Sequence, residues 1–265
     1  MRGSAGLGIM FADPDEEENT MPNYKLTLSY EGTRYKGWQR QGNTAGTIQE
    51  KLESLLGRIL GQPVELAASG RTDAGVHARM QVCSFRAETE LSPAALLLEL
   101  RRYLPEDIGA EALEEAPPRF HARLNCREKT YVYRIWNSSA PNVFTRRWQY
   151  RVEEPLDLAA MEKAAALLCG EHDFAAFCSL KNGRKSTVRQ LRAVRFRREG
   201  EELQICFTGD GFLYNMVRIL TGTLLEVGLG LRAPEDMPRI LESRDRALAG
   251  PTAPAAGLTL WEVLY

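Results

Sequence analysis

The chain has 265 residues, 44% hydrophobic and 26% charged, with 34 Lys and Arg against 35 Asp and Glu and a formal net charge of −1. That balance lies near the globular average and suits one large domain or two ordinary ones with a sizeable core. No apolar run approaches the roughly 20 residues that a bilayer-spanning helix needs, and the first residues lack the apolar stretch of a secretory signal.

Residues 1–20 read as a disordered or vector-derived leader, because "MRGS" resembles an expression-vector start and Met21 stands where a native first residue would. Tyr24 to Tyr30 alternates and predicts a strand. "EGTRYKGWQRQ" comes next as a loop rich in Gly, aromatic and basic residues. Thr47 and Glu50 stand at capping-box spacing and open a helix. Its Ile48, Leu52, Leu55, Leu56 and Ile59 share one face. Pro63 to Ala68 reads as a short strand, and Val76 to Phe85 as an apolar-rich one. Ser92 and Pro93 start a second helix that runs to about Tyr103.

Lys129 to Trp136 predicts a strong strand with Tyr131, Tyr133 and Ile135 on one face and Val132 and Arg134 on the other. Asp157 caps a helix through about Cys169, with Gly170 as its stop. Val188 to Arg198 and Leu203 to Thr208 form a hairpin around "EGEE". Tyr214 to Val227 is a helix with Met216, Ile219, Leu220, Thr223 and Leu224 on one side. A short helix at Pro234 to Leu241 and a last strand at Leu258 to Leu264 complete the chain. Hairpins mixed with helices favour an α+β fold with a largely antiparallel sheet over a doubly wound parallel one.

Five cysteines are scattered with no C-x-x-C pair, as in a cytosolic protein with reduced thiols. Three histidines far apart give no metal-ligand spacing, so no metal site is expected. The near-zero net charge hides a pattern. Residues 1–20 hold five acids and one base, so without them the balance moves from −1 to +3. Lys181 to Arg198 holds eight bases and no acid. Such a stretch can neutralise phosphates, or it is a solvated basic surface.

"SGRTDAGVHA" sets a cation, a hydroxyl and a carboxylate side by side at Arg71, Thr72 and Asp73, between Gly70 and Gly75. On spacing alone, Asp beside Gly is an ordinary turn residue. Three features point further. The glycines let the backbone approach another group closely. Arg71 can hold a phosphate or carboxylate in a planar fork. His77 and Gln81 lie on the emerging strand, where they can support the loop. An aspartate kept ionised beside a cation is a candidate nucleophile or general base.

"GRTDAGVHA" followed by "QVCSF" resembles the signature of the tRNA pseudouridine synthase A family. "YEGTRYKGWQRQ", "TIQEKLESLL", "FHARLNCREKTYVYRI", "GEHDFAAFCS", "GDGFLYNMVRILTGTLLEVG" and "AAGLTLWEV" resemble further motifs of that family in the same order, nearly the whole chain from Asn23 on. The resemblance implies an α+β pseudouridine synthase fold: a largely antiparallel mixed sheet with flanking helices, built from two similar halves, 21–125 and 126–265, that share a central sheet. It implies isomerisation of uridines at tRNA positions 38, 39 and 40 in the anticodon arm, without a cofactor, by a cytoplasmic homodimer with tRNA crossing both subunits. It makes Asp73 the catalytic aspartate, Tyr131 the ring that stacks on the base, Arg71 the signature arginine, and Arg218 a pocket residue that pairs with Asp73. The Arg218 contact is expected to lower the Asp73 pKa. Lys181, Arg184, Lys185 and Arg40 are the candidate contacts to the RNA backbone.

Overall fold

A computed structural model of the chain describes residues 21–42, 45–179 and 186–265. The expected leader and the candidate RNA contacts Lys181, Arg184 and Lys185 lie outside the described residues. The elements in chain order are β1 (Asn23–Tyr30), α1 (Ile48–Leu60), β2 (Ala67–Ala68), β3 (His77–Arg86), α2 (Pro93–Tyr103), β4 (Ile108–Ala116) and β5 (Glu128–Asn137). They continue with β6 (Tyr150–Val152), α3 (Leu158–Leu168), β7 (Gly170–Asp173), β8 (Val188–Glu199), β9 (Glu202–Gly209), α4 (Met216–Gly228), α5 (Asp236–Ser243) and β10 (Leu258–Leu264).

The strands form one sheet in the order β4-β1-β3-β10-β5-β9-β8-β7, with β2 added to β3 and β6 to β5. The pairings are antiparallel except β10 with β3 and β6 with β5. With helices flanking this sheet, the fold is the α+β class with a largely antiparallel mixed sheet. The strands of one side, β4, β1 and β3, come from residues before 117, and those from β10 to β7 come from residues after 127. The β3–β10 junction is short. Thr259 pairs with His77 and Leu260 with Ala78.

Local chemistry explains most element boundaries. Thr47 caps α1 by accepting a hydrogen bond from Glu50 N, while the Glu50 carboxylate reaches back to Gly46 N rather than to the cap residue itself. Ser92 caps α2 at Ala95 N, with Pro93 in the first turn. Asp157 caps α3 at Ala160 N. That helix ends at Leu168, with Cys169 already extended. Gly170 is therefore not a left-handed cap but, at φ 124°, the first residue of β7.

Four expectations shift. Only Ala67 and Ala68 of the Pro63 to Ala68 run pair with β3. β4 adds an edge strand with the helix-like sequence IGAEALEEA, paired along its length with β1. Val132 is buried along with Tyr133, so β5 is covered on both faces at that level. Helix α4 starts at Met216 and leaves Tyr214 outside it.

Helix α4 is buried nearly all round, which the one-sided apolar pattern underestimates. Its Thr221 and Thr223 hydroxyls donate to Val217 O and Ile219 O one turn back, so no buried hydroxyl is stranded on this helix. Gly222 lets the chain at Pro251 touch the helix backbone: a Cβ there would stand 1.8 Å from Pro251 O. That chain carries Ala253, whose N–H and carbonyl both bond Arg218. Among the described residues no helix is long and apolar enough to cross a membrane.

Gly222→Ala is expected to lower stability by about 1–3 kcal/mol through overpacking, visible as a Tm several degrees lower in thermal denaturation. An unchanged Tm would mean that the Pro251 segment yields freely.

Candidate active site

The loop from Ser69 to Gly75 is held from two sides. From below, Gln81 on β3 is fully buried. It accepts from Ser69 Oγ at 2.7 Å and donates to Gly70 O at 2.8 Å. Tyr30 of β1 shares a 2.8 Å hydrogen bond with the Thr72 hydroxyl. From the side, the loop after β1 docks by its backbone. Trp38 N donates to Thr72 O at 3.0 Å, and Gly75 N to Tyr35 O at 3.3 Å. Gly37 makes this approach possible. It sits at φ 88°, and a Cβ on it would lie 2.8 Å from Thr72 O. The arrangement fixes a turn that presents Asp73 with its side chain only 22% exposed.

Opposite stands Arg218 in the first turn of α4. Its Nη1 lies 3.5 Å from Asp73 Oδ2 and donates to Asn215 Oδ1 at 3.1 Å, while Nε donates to Ala253 O at 2.7 Å. Asn215 has a left-handed backbone, φ 61° and ψ 5°, which Asn tolerates better than most residues. It also donates through Nδ2 to Ser179 Oγ at 3.0 Å. The guanidinium is thus aimed before any ligand arrives. Tyr131 of β5 is 7% exposed and meets Phe212 edge-on, with ring centroids 5.1 Å apart. Asp73, Arg71, Tyr131 and Arg218 line one cavity of about 650 Å³ together with Trp38, Phe212 and Tyr214. That volume falls in the usual range for small-molecule sites.

A family model described as tRNA pseudouridine synthase matches residues 27–125 and 164–265. A tRNA pseudouridine synthase A of a Bacillus species, strain KSM-64, is 45% identical over 240 residues, covering 91% of this chain and 98% of the relative. The tRNA pseudouridine synthase A of Moorella thermoacetica is 44% identical over 246 residues, covering 92% and 100%. The chain belongs to the tRNA pseudouridine synthase family. Among solved structures, a chain from a Cbf5-Nop10-Gar1 complex is similar with a TM-score of 0.34 and 14% identity, covering 77% of this chain and 45% of that one, too distant to carry an argument.

A pseudouridine synthase is an isomerase. It needs a closed pocket, a group that can attack or take a proton, and a surface on which a base can turn. Of the residues expected from sequence, Asp73, Tyr131, Arg71 and Arg218 share the cavity. Arg71 is exposed at its edge, with no ion-pair partner among the described residues. Arg40 is not part of the lining; it pairs with the buried Glu53 carboxylate at 3.4 Å. Gln81 supports the loop as expected. His77 acts elsewhere. Its Nδ1 accepts from Gly32 N at 3.0 Å, and its Nε2 lies 3.2 Å from Ala256 O. It joins the loop after β1 to the segment before β10. Burial pushes its pKa down, so the neutral ring that this pair of bonds needs is favoured.

Sequence reasoning missed Lys129, Arg123, Arg189, Phe212 and Tyr214, all of which line the cavity. Three of them had a visible signal. Lys129 lies two residues before Tyr131 on one strand, and so on the same face. Phe212 and Tyr214 stand in the same motif as Arg218. Among the described residues no cluster of His, Cys, Asp and Glu is built to hold a metal.

The Asp73 pKa corrects the expectation. Burial pushes it up, Arg218 pulls it down by charge and by hydrogen bond, and the net shift is upward. The guanidinium sits at the long end of contact and does not outweigh the lost hydration. With the folded value above the unfolded one, the stability contributed by the protonated carboxyl is fully present below the ordinary carboxylate range. It is lost as pH rises through the folded value. Asp73→Asn is therefore expected to be at least as heat-stable as the parent at pH 7, with the gap closing towards acid pH in paired denaturation curves. A clearly less stable variant at pH 7 would show that the Arg218 contact dominates burial.

Proposed function

We propose that the protein converts uridine to pseudouridine at positions 38, 39 and 40 in the anticodon stem-loop of tRNA, with Asp73 as the essential group and no cofactor. One observation carries the reading. In a chain of this family, a half-buried carboxylate, a guanidinium and an aromatic ring line one nucleotide-sized cavity. The same reading takes the enzyme as a cytoplasmic homodimer with each tRNA crossing both subunits, and residues 21–125 and 126–265 as two similar halves.

The reaction breaks the bond from ribose C1′ to uracil N1 and makes one from C1′ to C5. The proton on C5 is lost and N1 regains one, so composition and oxidation state are unchanged and no donor is consumed. Asp73 can attack the ribose, add to the uracil ring, or take a sugar proton. Each route needs it ionised. Its raised pKa makes it a stronger base than an exposed carboxylate, while Arg218 keeps one oxygen oriented. Water must stay out, or a detached base would be lost. Extruding a uridine from the stem costs a few kcal/mol. Stacking on Tyr131 returns roughly 1–3 kcal/mol. The Tyr131 hydroxyl stays protonated, because burial raises its pKa.

Affinity comes from the backbone, since several neighbouring positions served by one site favour recognition of shape and phosphate over base edges. Lys181, Arg184, Lys185 and Arg40 are the proposed contacts.

Asp73→Asn is expected to bind tRNA with near-parental affinity and form no pseudouridine, scored by chemical mapping of the anticodon arm. Turnover in that variant, once reversion by deamidation is excluded, would sink the assignment. Replacing Lys181, Arg184 and Lys185 by Ala should flatten the slope of log affinity against log salt by roughly one unit per lost phosphate contact. An unchanged slope would move the RNA footprint elsewhere.

A further inference from the structure

We propose that Lys129, flanked by Arg123 and Arg189, binds a backbone phosphate next to the extruded uridine, an inference that rests on the reading of this cavity as a uridine site. Lys129 and Tyr131 project from the same face of β5. Their polar ends converge over Gly70 of the Asp73 loop. A Cβ on Gly70 would lie 3.5 Å from Lys129 Nζ and 3.7 Å from the Tyr131 hydroxyl. The ammonium therefore stands beside the ring that receives the base, at the distance where the sugar–phosphate of the same nucleotide must pass.

The charges around it call for an anion. Lys129, Arg123, Arg189 and Arg71 all line the cavity, and none has a carboxylate in ion-pair contact among the described residues. Arg189 directs its Nη1 to the carbonyls of Ser186 and Val188. The groups of opposite tendency nearby act on Lys129 only from beyond ion-pair contact and hold other hydrogen bonds. Asp210 accepts from Gln190 N at 3.1 Å, and the Cys126 thiol donates to Glu128 O. Burial pushes the Lys129 pKa down, Cys126 and more weakly Asp210 pull it up, Arg123 and Arg189 add to the downward push, and the net shift is downward. A half-buried ammonium among like charges is costly until a counterion arrives. A phosphodiester supplies one negative charge and two acceptor oxygens.

The path of an RNA strand fits the same spot. A second cavity of about 560 Å³ adjoins the first and shares Gly70, Arg71 and Arg123 with it. A strand leaving the first cavity towards the second crosses between these cations. Leu124 in the second cavity is exposed and offers apolar surface to the next nucleotide along.

The experiment combines a variant with a modified substrate. Lys129→Met should raise KM for tRNA at least about tenfold, the size expected for a hydrogen bond to a charged group, with kcat little changed. Lys129→Arg should recover most of the loss. An anticodon-arm RNA with a neutral methylphosphonate on the 5′ or the 3′ side of the target uridine should weaken binding to the parent at one of the two positions. At that position it should weaken binding to Lys129→Met no further. A fall in kcat at constant KM, or an equal methylphosphonate loss in parent and variant at both positions, would overturn the inference. A parent enzyme that leaves tRNA uridines unconverted would overturn the proposed function instead, and the binding series would still decide the phosphate contact.

Discussion

The site depends on one strand inserted between two others. In β10, Leu260 pairs with Ala78 of β3 on one side and with Tyr131 of β5 on the other. Neighbouring strands lie about 4.8 Å apart, which sets β3 and β5 about 10 Å from each other. The Asp73 loop feeds directly into β3, and Tyr131 lies on β5, so this spacing determines the width of the cavity between carboxylate and ring. The parallel β3–β10 pairing covers only two residue pairs and is weak by itself. Buried side-chain bonds reinforce it. His77 links Gly32 N to Ala256 O, and the Tyr133 hydroxyl donates to Pro254 O at 2.8 Å. Leu260 itself is fully buried, which makes slippage of β10 by one residue prohibitive.

Within that frame the carboxylate is balanced between two influences. Removal from water destabilises its charge, and Arg218 at 3.5 Å compensates in part. A tighter, bidentate pair would hold Asp73 ionised but would occupy both of the oxygens that the proposed reaction needs. The guanidinium is instead satisfied mainly by Asn215 and Ala253, which leaves it oriented towards Asp73 without clamping it. The left-handed Asn215 is part of this arrangement, because its side chain ties Arg218 to Ser179 across the cavity lining.

Features set by local chemistry could be read from the chain. Helix α1 follows from Thr47 and its apolar stripe, α2 from Ser92–Pro93, and β10 was legible as a strand over Leu258 to Leu264. Features set by a distant partner could not. In β4, Ala and Glu favour helix, but the segment lies against β1 for its whole length, and pairing overrides propensity. Pro63 to Ala68 looks extended, yet only its last two residues find a neighbour. That Asp73 and Arg218 meet is expected from ordered motifs and seen in the fold, whereas the direction of the Asp73 shift required burial, which no local pattern encodes. Arg123 was missed because its place in the cavity wall is a property of the folded surface, whereas Lys129 was legible from its position two residues before Tyr131.

The insertion of β10 also bears on when the enzyme can exist. Residues 77–78 and 131 are made well before the strand that sets their separation, which spans 258–264. A growing chain on the ribosome can pair β1 with β3 and β5 with β9 while the gap between the two groups stays open. The pocket cannot close until β10 has emerged, so a copy made only as far as β9 holds Asp73 and Tyr131 on two unjoined groups of strands and has no assembled centre.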